Sequence, residues 1–293
     1  SLRFHARLSC PAHATPHGET MTFPVYLHIF GWRVHPHPVM EAAGFFVGLA
    51  GVILARRRER PPLARRPASH HLWLLAGAAI GALLGARLLA WIEGPAPPTM
   101  DNLLAGGKTI VGGLAGAWVG TEIVKKCLGI TRRTGDAWVL GLCAAIAVGR
   151  IGCFLTGLSD NTYGLPTKLP WGVNFGDGIP RHPTQLYESL FALTLFVVFW
   201  ALRARPFREG DRFRLFILAY MLFRFFVEFL KPTRKPYLGL SAIQLTTLLT
   251  AAAALYSLRA EWSVASDQLS DEHNASSRRE AMVTRNAKHE AKN

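Results

Sequence analysis

The chain has few acids and no paired cysteines. Its 293 residues include 19 Asp+Glu against 33 Lys+Arg, a formal charge of +14, although half of them are hydrophobic. Cys10, Cys127, Cys143 and Cys153 have no close paired spacing, which indicates neither a disulfide framework nor a zinc site, so free thiols are expected. The opening stretch SLRFHARLSCPAHATPHGET (1–20) lacks an apolar core of signal-peptide length. Because Met21 opens MTFPVYLHIF, the natural start is expected there, with the preceding residues read as an extension. No nucleic-acid recognition motif is present, and the basic residues sit between apolar runs rather than on amphipathic helices, so a nucleic-acid binder is the weakest reading. No internal duplication appears, which counts against a transporter built from repeats. Nucleotide, redox and metal cofactors have no positive signal, and none is expected.

What is present is apolar length. A bilayer core about 30 Å thick takes roughly 20 residues in helical form. Segments at 38–55, 72–92, 109–124, 137–156, 184–202, 214–230 and 239–257 meet that need, so an all-α polytopic membrane protein with about seven transmembrane helices is expected. The connecting loops are unequal in charge: 56–71 holds six Lys+Arg, 125–136 four and 203–214 five, against one in 93–108, two in 157–183 and three in 231–238. Basic loops stay in the cytoplasm, which puts the N-terminus outside and the C-terminus inside. Residues 1–34 then form an outer extension, 35–258 the membrane domain, and 259–293 a basic tail too polar to fold.

Small residues recur at helical spacing in GAAIGALLGA (77–86) and VGGLAGAWVG (111–120), as close helix packing in lipid requires. The 157–183 loop, rich in Gly and Pro, is long enough to form a lid or head over a site.

Six ionisable residues lie within or at the edge of the spans: Glu41, Arg87, Arg150, Glu188, Arg224 and Glu228. Each costs ~2.5–3.5 kcal/mol near the bilayer centre on insertion scales, so they need pairing, water or a charged ligand. Arg224 and Glu228, four residues apart, share a helix face and could simply neutralise one another. The depths of Arg150, Glu188, Arg224 and Glu228 instead suggest one cavity in the outer half of the membrane, where arginines suit a phosphate headgroup. In RHPTQLYE (181–188), Pro183 at the first helical position leaves His182 as cap. A general base and a headgroup contact are the other readings of His182, and a cap is the commonest. His35 and His37 in WRVHPHPVME (32–41) lack the i,i+4 spacing of a helical metal site, and capping is the commoner reading there too.

Taken in order, GRIGCFLTG (149–157), Gly164, RHPTQLYE, FRFFVEFLKP (223–232) and LGLSAIQL (238–245), with GARL (85–88) on the second span, resemble the bacterial prolipoprotein diacylglyceryl transferase family over roughly residues 35–258. That resemblance implies an inner-membrane enzyme moving an sn-1,2-diacylglyceryl group from phosphatidylglycerol to the lipobox cysteine of a prolipoprotein, with glycerol phosphate released. It implies Arg150 and Arg224 on the lipid phosphate, Glu228 orienting Arg224, and His182 among the catalytic groups. The substrate-binding groups would be Arg87, Gly149, Gly157, Gly164, Gln185, Tyr187, Glu188, Gln244, His37 and Glu41.

Departures mark a divergent branch. Val111 stands where the family usually has a histidine, Cys153 where it has an asparagine, and no glutamate follows in TGLSDNTYG. His37, His182 or Glu41 then replaces the missing base, or the acceptor is not the usual cysteine. A related phospholipid-dependent transferase with another acceptor, and a non-catalytic lipid binder or transporter, are the competing readings.

Overall fold

The computed structural model describes residues 23–57, 68–94 and 107–259. The expectations for residues 1–22, for most of the 56–71 and 93–108 loops and for the basic tail beyond residue 259 lie outside the described residues. Seven long helices account for most of what is described: α1 Pro36–Arg57, α2 Ala68–Glu93, α3 Ile110–Cys127, α4 Val139–Thr156, α5 Thr184–Ala201, α6 Asp211–Val227 and α7 over 242–259. Two short antiparallel ribbons complete the fold, β1 Leu27–Ile29 with β2 Trp32–Val34, and β3 Val173–Asn174 with β4 Pro180–Arg181.

Four helical stretches are long and apolar enough to cross a membrane: Pro36–Ala55, His70–Glu93, Asp136–Asp160 and Thr184–Ala204. The sequence reading counted seven, and the other three helices differ for a physical reason. Glu122, Lys125 and Lys126 crowd the end of α3, and Asp211, Arg212, Arg214 and Arg224 lie along α6. In α7 the polar residues include Gln244, Thr246, Thr247, Thr250, Ser257 and Arg259; Thr246 and Thr250 turn their hydroxyls back onto the carbonyls of Ala242 and Thr246, at 2.9 and 2.7 Å.

Apolar side chains point outward as well as inward. Phe45, Phe46, Trp73, Ile80, Leu190, Leu193 and Val197 are all exposed, whereas Phe216, Ile217, Tyr220, Met221, Cys143, Ala192 and Ala254 are sealed in the centre where α4, α5, α6 and α7 meet. Helices that are apolar on every face satisfy their own backbone and suit hydrocarbon as the outer solvent.

The glycine stripes read from the sequence fall on one seam. Gly77, Gly81 and Gly85 of α2 face Gly120, Gly116 and Gly112 of α3 so closely that a Cβ at Gly116 would stand 2.1 Å from the Gly81 carbonyl oxygen. Thr109 caps α3 through Gly112 N–H (3.2 Å) and gives its own N–H to the Ala86 carbonyl of α2 (3.2 Å), which fixes the register of the pair. A second seam joins α1 to α4, where Gly44 and Gly48 approach Ala145 and Gly141.

The 157–183 loop is tied down at its base. Leu165 N–H donates to the Leu230 carbonyl at the end of α6 (2.7 Å), and Gly164 N–H to the His182 carbonyl (2.9 Å). Gly164 has no room for a side chain, since a Cβ would meet His182 Cβ at 2.6 Å. At the tip, the Arg181 guanidinium 2.6 Å from Asp177 holds that carboxyl below the usual carboxylate range.

Gly116→Ala should destabilise the protein by about 1–3 kcal/mol through overpacking. Gly113→Ala, one turn away, meets Ala86 Cβ at 3.7 Å and the Ala82 carbonyl oxygen at 3.8 Å, ordinary contacts, and should change the thermal midpoint little. Thermal unfolding of the two variants in the same detergent checks the seam.

Candidate functional site

Four of the residues read as intramembrane charges meet at one end of the bundle. The last turns of α4 supply Arg150, the first turn and a half of α5 supplies Gln185 and Glu188, and the last turn of α6 supplies Arg224. The chain then tightens into a 3-10 turn, Glu228–Leu230, which keeps Glu228 four residues beyond Arg224 on the same face. Glu188, fully buried, lies between the two arginines, with Arg150 Nη2 at 3.0 Å and Arg224 Nη1 at 3.8 Å from its Oε2. Arg224 Nη2 donates to Glu228 Oε2 at 2.9 Å. The pair that could have neutralised only itself is one half of a four-membered cluster.

Two further groups belong to it that sequence reasoning missed. Tyr220, four residues before Arg224, donates its hydroxyl to Glu188 Oε1. Its spacing was a usable signal, masked by the aromatic character that makes tyrosine ordinary in an apolar helix. Lys231 follows the 3-10 turn, is buried, and interacts electrostatically with Arg150, Arg224, Glu188 and Glu228. Two guanidinium groups and a buried lysine therefore face two carboxylates.

The cluster also holds three donors and one acceptor, the Gln185 Oε1, without partners among the described residues. Arg150 Nε, Arg224 Nε and both ends of the Gln185 amide are buried and make no hydrogen bond among the described residues. Buried guanidinium and amide donors left this way are satisfied by ordered water or by a ligand rich in acceptor oxygens. A tetrahedral oxyanion fits both the donor set and the excess of positive side chains.

The remaining expected residues divide. His182 is not the helix cap: α5 begins at Thr184 with Pro183 at the cap position, and no side chain caps it. The His182 ring instead meets the Tyr187 hydroxyl (Nδ1 at 3.1 Å), which also accepts from Trp171 Nε1 at 2.8 Å, so three residues link the loop to α5. Gln244 lies in a capping box, its Oε1 accepting Ser241 N–H (3.0 Å) while Ser241 Oγ accepts Gln244 N–H (3.1 Å). With its Nε2 on the Phe225 carbonyl at 3.3 Å, that side chain is committed to starting α7. Gly157 adopts a positive φ of 74° at the end of α4 and packs under Phe23. Gly149 has open space where a Cβ would be, and Arg87 lies half-buried on α2. Val111 is 1% exposed within the apolar core, so that position offers no proton-transfer group.

On the other side of Arg150 lies a second polar group. Arg150 Nη1 is 3.7 Å from Cys153 Sγ, which is 4.0 Å from His37 Nδ1, and the same nitrogen is 3.1 Å from Asp160 Oδ1. Glu41, one turn along α1, lies between His37 Nε2 (3.9 Å) and Lys108 Nζ (3.3 Å). His37 and Glu41 were expected at a site; Cys153 and Asp160 were not, because their nearness to His37 depends on how α1 crosses α4.

Removing Glu188 should expose the cluster's dependence on it. Glu188→Gln leaves two buried guanidinium groups facing an uncharged amide and is expected to destabilise by about 3–5 kcal/mol. Tyr220→Phe removes one hydrogen bond and should lower stability by about 1–2 kcal/mol. Unfolding midpoints of the two variants rank the contributions, and a smaller loss for Glu188→Gln than for Tyr220→Phe would contradict the arrangement.

Comparison with known proteins agrees with this picture. The family model described as prolipoprotein diacylglyceryl transferase matches residues 24–259. A phosphatidylglycerol-prolipoprotein diacylglyceryl transferase of Bordetella parapertussis is 33% identical over 241 residues, covering 76% of this chain and 87% of that protein. Those of Cupriavidus metallidurans (32% over 244 residues, 76% and 85% covered) and Clostridium tetani (33% over 222 residues, 71% and 85% covered) are similarly related.

Proposed function

The chain belongs to the prolipoprotein diacylglyceryl transferase family, and from that premise we propose that it transfers the sn-1,2-diacylglyceryl group of phosphatidylglycerol to the cysteine thiol of a prolipoprotein lipobox. The observation that carries this reading to the site is the buried Arg150–Glu188–Arg224–Glu228 cluster in a chain with four helices fit to cross a membrane.

The reaction displaces a phosphate monoester from carbon. The acceptor thiol gives up its proton to water, its sulfur attacks the terminal glyceryl carbon, a carbon–sulfur bond forms, and the carbon–oxygen bond to phosphate breaks with its electron pair staying on oxygen. Glycerol phosphate leaves with one more negative charge on its phosphate than it had in the lipid. Arg150 and Arg224 are the residues suited to that charge, since their partnerless donors already sit in a site walled by apolar residues, where such stabilisation acts strongly. Glu188 holds the two guanidinium groups together and Glu228 orients Arg224. Gln185 supplies a neutral donor and acceptor for the headgroup. The His182–Tyr187–Trp171 chain carries the loop over the same end of the bundle.

We place the protein in the bacterial inner membrane, with α1 to α7 all crossing it, the N-terminus outside and the C-terminus in the cytoplasm. The asymmetry of Lys and Arg among the loops supports that orientation, and it puts the charged cluster in the outer half. There it meets both the outer-leaflet headgroup and a secreted substrate.

Purified protein incubated with labelled phosphatidylglycerol and a peptide carrying a lipobox cysteine should release glycerol phosphate and label the peptide. Lipid turnover without labelled peptide would indicate a different acceptor, and neither product, with lipid retained, a non-catalytic binder. Arg150→Ala and Arg224→Ala should each lower transfer by about 100-fold or more while the protein still inserts; full activity in either removes that arginine from the phosphate site. His182→Ala should slow transfer without loss of lipid-free stability if the loop contact serves the headgroup.

A further inference from the structure

Three side chains of metal-binding type converge beside the charged cluster without belonging to it. One ligand atom each from His37, Cys153 and Asp160 lies within 4.8 Å of the others. They come from separate elements: the first turn of α1, the last turns of α4, and the 3-10 turn Gly157–Asp160 that follows. Neighbouring ligands in a tetrahedral site with bonds of about 2.0–2.3 Å stand roughly 3.3–3.7 Å apart. The separations here, 3.1 Å between His37 Nδ1 and Asp160 Oδ1 and 4.0 Å between His37 Nδ1 and Cys153 Sγ, straddle that range. Movements of a few tenths of an ångström bring both of these pairs into it, and the Cys153–Asp160 pair lies within 4.8 Å.

The surroundings are those of a metal centre too. A ligating histidine ordinarily turns its second nitrogen to a carboxylate, and ligating carboxylates are themselves hydrogen-bonded. His37 Nε2 faces Glu41 Oε2 at 3.9 Å, while Thr162 Oγ1 donates to the second oxygen of Asp160 at 2.5 Å. Arg150 Nη1 lies 3.7 Å from Cys153 Sγ, which leaves the sulfur facing His37 and Asp160 on its other side. Cys153 is buried and Asp160 nearly so, but His37 is only part-buried, so one side of the group is open to a fourth ligand.

We propose that His37, Cys153 and Asp160 bind one zinc ion with its fourth position open to the acceptor thiol. Mixed sulfur, imidazole and carboxylate donors suit zinc better than the oxygen-seeking magnesium or calcium. A thiolate and a carboxylate neutralise the ion, and an incoming thiolate would leave a single negative charge beside Arg150. This second part rests on the transferase reading. On binding, the acceptor S–H loses its proton to water at the open side. The sulfur then forms its bond to the terminal glyceryl carbon as the carbon–oxygen bond breaks toward the phosphate at Arg150 and Arg224. Cys153 stays a ligand throughout and takes no group.

The test uses the full chain, purified in detergent without a histidine tag, stripped with chelator and equilibrated with zinc. Elemental analysis should find about one zinc per chain, falling at least five-fold in His37→Ala, Cys153→Ala and Asp160→Asn. Cobalt loading of the wild type should give a thiolate-to-cobalt charge-transfer band in the near ultraviolet. That spectrum needs no variant to fold. Absence of stoichiometric metal in the wild type, or its retention in all three variants, overturns the proposal. Transfer to the lipobox peptide at an undiminished rate in the metal-free enzyme also overturns it, leaving the transferase reading intact and His37 with Asp160 as a hydrogen-bonded base. Zinc held by the three residues in a protein that makes no transfer supports the site and counts against the transferase reading.

Discussion

Glu188 is the residue on which this site depends. A single carboxylate, sealed from solvent, faces two guanidinium groups from different helices and accepts a hydroxyl from a third position. Either arginine alone would be expensive to bury, and two together would repel. With Glu188 between them they become a donor array in which the two Nε–H groups have no acceptor among the described residues. Such an array is poor material for stability, because apolar side chains of the same volume would pack as well.

The rest of the fold holds that array. Glycine seams bring α2 against α3 and α1 against α4 at distances no larger residue permits, which makes the scaffold stiff without any hydrophobic force between helices. The buried core of Phe216, Ile217, Tyr220 and Met221 locks α6 between its neighbours, so Arg224 and Glu228 emerge at a fixed height. The loop after α4 is stitched to the end of α6 through Leu165 and Leu230, which couples the position of Asp160 and His182 to that of Arg224. The buried charged cluster, the His37–Cys153–Asp160 group and the loop after α4 are thus parts of one mechanical unit.

Departures from the family pattern fall where chemistry, rather than packing, is decided. Val111 fills its position with a buried side chain that cannot exchange a proton, while α1 brings a histidine and the α4 end a cysteine and an aspartate into contact nearby. Polar function lost at one point of the bundle is accompanied by polar function at another, with Arg150 touching both clusters. Arg150 and Arg224, by contrast, stand where the family resemblance puts arginines and share Glu188.

Helix spans, glycine stripes and the list of costly charges were legible in the sequence, because each depends on residues close together along one chain segment. Arg224 and Glu228 could be paired from spacing alone, and the capping box at Ser241 and Gln244 is equally local. Contacts between segments were not legible. Tyr220 looked like any aromatic in an apolar helix until α5 set Glu188 beside it, and His37, Cys153 and Asp160 are 116 residues apart at the span of their closest sulfur–nitrogen pair. Local periodicity determines which residues share a helix face; only the crossing of helices, set by where glycine lets backbones meet, determines which faces share a site.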